Sequence, residues 1–168
     1  CISSENETVI SLGDCELTIA HAPFTITLQR NGKTLLTSIT DEHFRGYSRL
    51  PCFGVNACQS MASFALEEEA AIYGGGEKFT ALNKRGQLIR SRVEDALGVS
   101  TELAYKNIPF FWSHSGAGTW GILTHATHDI HHGLGYGQWS ARSYTIVVDH
   151  PTLDLFLIAA ENPAEILQ

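Results

Sequence analysis

Asn31-Gly32 sits at the centre of Gln29-Arg30-Asn31-Gly32-Lys33-Thr34, between Leu28 and Leu35. Asn-Gly favours a type I′ turn. Both central residues of that turn need positive φ, and its twist matches that of an antiparallel strand pair. Ahead of it, Phe24, Ile26 and Leu28 alternate with Thr25 and Thr27. Earlier still, Cys15, Leu17 and Ile19 alternate with Glu16 and Thr18. Period-two alternation puts the apolar side chains on one face of a strand and the polar ones on the other. Residues 24–38 are therefore expected to form a β-hairpin.

The rest of the chain reads in the same way. Strands are expected near 107–113, 119–126, 143–149 and 153–160. Thr145-Ile146-Val147-Val148 and Leu153 through Ile158 are apolar enough for burial on both faces. Residues 61–73 fit a strand or a short helix, and 39–60 carry little periodicity. Glu67-Glu68-Glu69 reads as a solvated face, and Gly74-Gly75-Gly76 as a break. Glycine turns, short strands and scant helical periodicity predict an all-β fold with few or no helices, an antiparallel β-sandwich or barrel. Near the end, Asn162 can cap a helix, with Pro163 at its first position and Glu165 reaching back to the cap. Residue 1 is Cys, and the sole methionine is Met61, so the expectation is a chain cut from a longer product.

Charge narrows the partners. Acidic residues outnumber basic ones 18 to 11, for a net charge of −7. Phosphate-rich surfaces need clustered Lys and Arg, which argues against nucleic acid and against an anionic membrane. Apolar runs fall far short of the ~20 residues of a membrane span. Cys1, Cys15, Cys52 and Cys58 form no CxxC pair. They are expected to be free, mostly buried thiols of a cytoplasmic protein.

Chemistry is sparse on the residues alone. Gly74-Gly75-Gly76-Glu77-Lys78 lacks phosphate-loop spacing and reads as a tight turn with close backbone packing. His125, His128, Asp129, His131 and His132 have the composition of a metal site, yet strand alternation would split them between two faces, so surface histidines and no metal are expected. Glycoside cleavage needs two carboxylates about 5–9.5 Å apart. Adjacent Glu94 and Asp95 would diverge on a strand, and Glu77 meets Asp95 only if the fold brings them together. No G-x-S-x-G elbow supports a serine nucleophile. Phe110, Phe111, Trp112, Trp120, Tyr136 and Trp139 could stack on sugars, but about two thirds of them are expected in the core.

Two long motifs occur in order. The first is Tyr73-Gly-Gly-Gly-Glu-Lys-Phe-Thr-Ala-Leu-Asn-Lys-Arg-Gly-Gln87; the second is Ser100-Thr-Glu-Leu-Ala-Tyr-Lys-Asn-Ile-Pro-Phe110. With Gly116-Ala117-Gly118-Thr119-Trp120-Gly121-Ile122 and Asn162-Pro163-Ala164-Glu165-Ile166-Leu167, they resemble the N-terminal domain of glycoside hydrolase family 31. These are retaining α-glucosidases and α-xylosidases, and the Y-K-N-I-P-F version is most similar to bacterial α-xylosidase-like members.

The resemblance implies a galactose-mutarotase-like sandwich over residues 1–161. Residues 162–168 would then begin the connection to a catalytic (β/α)₈ barrel that carries the catalytic aspartates. This domain would hold no catalytic residue, need no cofactor and be inactive alone. One of its loops would reach the substrate pocket of an α-linked sugar through Asp95, with Glu94 as the competing carboxylate. Many relatives have W-N-x-D before that loop, where this chain reads Ser91-Arg92-Val93-Glu94-Asp95, with no Trp. That loop, around 90–100, is expected to be mobile without its barrel. Glu77 is expected to satisfy backbone donors at the glycine turn. The alternatives are a free-standing carbohydrate-binding module and a mutarotase-like epimerase.

Overall fold

A computed structural model describes residues 1–40, 42–44, 48–95 and 104–167. In chain order the strands are β1 (Ile2–Ser3), β2 (Glu7–Leu12), β3 (Cys15–His21), β4 (Phe24–Arg30), β5 (Lys33–Thr37), β6 (Glu42–Phe44), β7 (Ser48–Leu50) and β8 (Phe53–Val55). They continue with β9 (Ser60–Ala65), β10 (Ile72–Gly76), β11 (Gln87–Ser91), β12 (Asn107–Ser115), β13 (Gly118–Thr124), β14 (Ile130–Leu134), β15 (Ser143–Val148) and β16 (Leu155–Ala160). A short helix, α1 (Pro163–Ile166), follows. Among the described residues no helix is long and apolar enough to cross a membrane.

The expected hairpin is β4–β5, and Asn31 and Gly32 take positive φ at its tip, 49° and 72°. It extends a meander, β1-β2-β3-β4-β5. Two further antiparallel sheets, β10-β12-β13-β16 and β11-β14-β15-β9-β8, form the sandwich. Their inner faces meet through rings. Phe111 of β12 lies 4.6 Å from His132 of β14 and 5.9 Å from Tyr144 of β15, and Trp120 of β13 stacks on Tyr144 at 6.2 Å. Ile72, Ile89, Ile122 and Ile146 fill the space around them, and Leu28 and Leu36 bring the hairpin into the same core.

Several expectations change. Gly74-Gly75-Gly76 is not a break but strand, with a bulge where β10 meets β12. A Cβ at Gly74 would lie 2.1 Å from the Phe110 carbonyl oxygen, and one at Gly76 would lie 2.1 Å from that of Lys106. The glycines are there to let two backbones touch. Of the six clustered aromatics only Phe111 and Trp120 are buried; the other four are half-buried. Trp139 lies over Gly133 on the outside of its sheet. None of the four free cysteines is buried: Cys1 and Cys58 are exposed, and Cys52 at a strand edge donates to the Phe24 carbonyl. β1, β2, β11 and β14 give too little alternation to be read from sequence.

The helix start is built as its residues suggest. The Asn162 side chain accepts from the backbone N–H of Ala164 and Glu165. Glu165 reaches back one residue past the cap, to the Glu161 N–H at 2.7 Å. Its other oxygen takes Arg30 Nη1 at 2.9 Å, while Arg30 Nε donates to Asp14 at 2.7 Å. The hairpin tip is thereby tied to α1.

His132 is fully buried, against the expectation of a surface histidine. Its Nδ1 shares a hydrogen bond with the Tyr144 hydroxyl at 2.9 Å, and its Nε2 has no partner among the described residues. Burial pushes its pKa down to about 3, from an ordinary 6.5. The unfolded chain therefore binds the extra proton first. The stability this neutral imidazole confers is complete above pH 6.5 and is lost as pH falls toward 3. Denaturant melts should lose up to ~1.4 kcal/mol per pH unit across that window, and His132→Phe should flatten the slope. Gly74→Ala should cost about 3 kcal/mol through its backbone clash. Gly13→Ala, strained at φ 62° but in open space, should cost only about 1 kcal/mol.

Candidate functional site

β11 ends at Ser91, and the chain leaves the sandwich through Arg92, Val93, Glu94 and Asp95, all exposed. Residues 96–103 lie outside the described residues, and with them the second half of the loop expected to be mobile and the first residues of the second motif. The chain re-enters at Ala104, which is buried, and runs through Tyr105 and Lys106 into β12. Val93 and Ala104 form an isolated parallel bridge at the base of the loop.

Both candidate carboxylates stand at this rim and take different partners. Asp95 Oδ1 accepts the hydroxyl of Tyr105. Glu94 lies 3.7 Å from Arg92 Nε, and Arg92 Nη1 lies 3.5 Å from Asp129. Arg90 also donates to Asp129, which holds that carboxyl below the usual carboxylate range. Glu77 is tied elsewhere: its carboxylate meets Lys106 Nζ at 2.9 Å, not the backbone amides expected of it. The three carboxylates therefore take three separate partners, Lys106 for Glu77, Arg92 for Glu94 and Tyr105 for Asp95.

Sequence reasoning missed the groups beneath the rim. The Asn107 side-chain amide donates to the carbonyls of Arg92 and Ala104, one on each side of the loop. The Asn107 side-chain oxygen accepts from Lys78 Nζ, which also donates to the Arg90 carbonyl at 3.2 Å. Asn107 and Lys78 both lie inside the quoted motifs, but their 29-residue separation leaves no local pattern to reveal the contact.

Beside Lys78 opens a cavity of about 740 Å³. Tyr73 and Trp112 line it, their rings 4.8 Å apart, together with the exposed Phe79 and Leu82. Lys84 lies buried at its edge and donates to Thr80 Oγ1 and the Ala81 carbonyl, bracing the segment between them. Burial lowers its pKa.

The histidine cluster does not assemble. His128 stacks face to face on His150 at 4.2 Å, His125 pairs with Asp154 at 2.9 Å, His131 lies 3.7 Å from Asp149, and His132 is in the core. Among the described residues no group of three or more such side chains converges on a point that could hold a metal.

Residues 2–131 match the model of the glycosyl hydrolase 31 N-terminal galactose mutarotase-like domain. The chain is 31% identical, over 93% of its length, to an α-xylosidase of Emericella nidulans, of which it covers 21%. It is 27% identical, over 96% of its length, to an α-xylosidase of Lactiplantibacillus pentosus, of which it covers 20%. It spans about a fifth of the length of these relatives. A Flavobacterium johnsoniae dextranase structure, complexed with isomaltotriose, superposes with a TM-score of 0.76 at 20% identity, over 99% of this chain and 19% of that one.

The Tyr105 phenol is held above its ordinary pKa of 10 because it donates to the Asp95 carboxylate, which favours the protonated form. Spectrophotometric titration should find two tyrosines that ionise late, Tyr105 and the buried Tyr144, and Asp95→Asn should return the Tyr105 midpoint alone toward 10. An unchanged midpoint would break the Tyr105–Asp95 pairing.

Proposed function

Because the chain belongs to the glycosyl hydrolase 31 family as its N-terminal galactose mutarotase-like domain, we propose that it is the non-catalytic sandwich of a retaining α-glycosidase, an α-xylosidase by the names of its relatives. The observation that carries the reading is Asp95, held at the sandwich rim by Tyr105 on a loop pinned at its base. A carboxylate placed there can accept hydrogen bonds from a sugar's hydroxyls and favour one sugar over another. The chemistry itself, double displacement through a glycosyl-enzyme intermediate, belongs to aspartates of a barrel beyond this domain.

The outer face of β10-β12-β13-β16 is the surface we assign to that barrel. Tyr73, Phe110 and Trp112 are half-buried there, and Phe156 is 51% exposed. α1 lies on the same face, where Phe110 and Ile166 share the space that a side chain at Gly121 would fill. Residues 162–168 would lead from the sandwich to the barrel.

A second reading, a sugar-binding module acting alone, draws on the Tyr73–Trp112 pair in its open cavity. Calorimetry with millimolar xylose or glucose separates the two, since saturable binding by residues 1–168 alone favours the module. For the first reading, the full-length protein should cleave p-nitrophenyl α-xyloside or α-glucoside with release of the α-anomer, and residues 1–168 should not. Asp95→Asn in the full-length protein should raise KM about tenfold, the loss of a charged hydrogen bond. Glu94→Gln should change KM less than about twofold, because Glu94 already faces Arg92. Hydrolysis by the domain alone, or no hydrolysis by the whole protein, would overturn the assignment.

A further inference from the structure

We infer that Asn107 and Lys78 are positioning residues for Asp95. The inference rests on the reading of Asp95 as a sugar-contacting group and goes one step beneath it, to what holds that group in place.

The loop that carries Asp95 leaves the sandwich at Arg92 and returns at Ala104, and one side chain touches the backbone at both points. The two N–H bonds of a carboxamide diverge, and Asn107 uses them on two different strands of chain: one on the Arg92 carbonyl, the other on the Ala104 carbonyl. A serine or threonine hydroxyl has a single donor and cannot serve both. An aspartate would turn acceptors toward acceptors. The third polar group of the carboxamide, its oxygen, accepts Lys78 Nζ, and the same ammonium reaches the Arg90 carbonyl at 3.2 Å. The clasp therefore spans five segments: the end of β11, the two feet of the loop, the start of β12 and the residues just after β10.

The clasp acts on Asp95 from both sides. Asp95 lies three residues beyond Arg92, and its partner Tyr105 follows Ala104 directly. Fixing the separation of Arg92 and Ala104 fixes the separation of the carboxylate from the phenol that orients it. Neither Asn107 nor Lys78 needs to meet the sugar. With the base released, Asp95 would sample many positions, and the substrate would bear the cost of ordering it. The expected signature is weaker binding with little change in the chemical step.

The experiment uses the full-length protein with p-nitrophenyl α-xyloside and compares Asp95→Asn, Asn107→Asp and the double variant for kcat, KM and melting temperature. Asn107→Asp should raise KM about tenfold, the loss of two hydrogen bonds, and leave kcat within about twofold. The double variant should be no worse than Asp95→Asn alone, because the clasp works through that residue. A folded Asn107→Asp protein with unchanged KM overturns the inference, and so do effects that multiply in the double variant. Asp95→Asn with unchanged KM overturns the reading of Asp95 instead, and the clasp's role with it. If Asn107→Asp does not fold, Lys78→Met makes the same comparison: KM should rise about threefold, Lys78→Arg should restore it, and unchanged KM in folded Lys78→Met counts against the clasp.

Discussion

The close approach of β10 to β12 is the contact on which the other parts of the structure depend. Gly74 and Gly76 bring the two backbones together where any side chain would collide with a carbonyl. That approach sets the bulge at Gly74/Gly75, and the bulge shifts the register so that Gly75 faces Ile108 and Gly76 faces Asn107. β12 is thereby held with Phe111 turned into the core against His132 and Tyr144, and with Phe110 turned out under α1. The first residue of β12, Asn107, lands under the acidic loop. One strand thus serves the core, the outer face and the rim.

Much of this architecture is legible in the sequence where chemistry is local. The β4–β5 hairpin follows from Asn31-Gly32, because positive φ at both central positions is cheap for those two residues. The helix start follows from Asn162, Pro163 and Glu165, whose caps act within a single turn. β11 and β14 are harder. Ile130-His131-His132-Gly133-Leu134 looks polar, yet His132 faces the core, where the Tyr144 hydroxyl across the ladder makes a buried imidazole tolerable. The glycine run misleads for a related reason: glycine marks a turn when the demand is for positive φ, and a strand when the demand is for room. Here both demands fall on the same residues.

The rim divides along the same line. Glu94 and Asp95 enter through a resemblance between motifs, since nothing in their spacing sets them apart. The fold then separates them by partner, Arg92 for one and Tyr105 for the other. The motifs contain Asn107 and Lys78 but do not mark their contact, because its geometry exists only after β10, β11 and β12 have come together. The histidines show the converse. Their density along the chain suggests a shared purpose, and the fold distributes them among Asp154, His150, Asp149 and the core.

The link between the hairpin tip and α1 is made of charge: Asp14, Arg30 and Glu165 in a row, at 2.7 and 2.9 Å. Apolar contacts hold their strength in concentrated electrolyte, but pairs at the surface are screened as ionic strength rises. Salt therefore does not weaken the sandwich core or the Ile166–Phe110 contact beneath α1, but it does weaken the charged row beside them. The ionic part of the fastening between hairpin and helix tightens in dilute solution and loosens in brine.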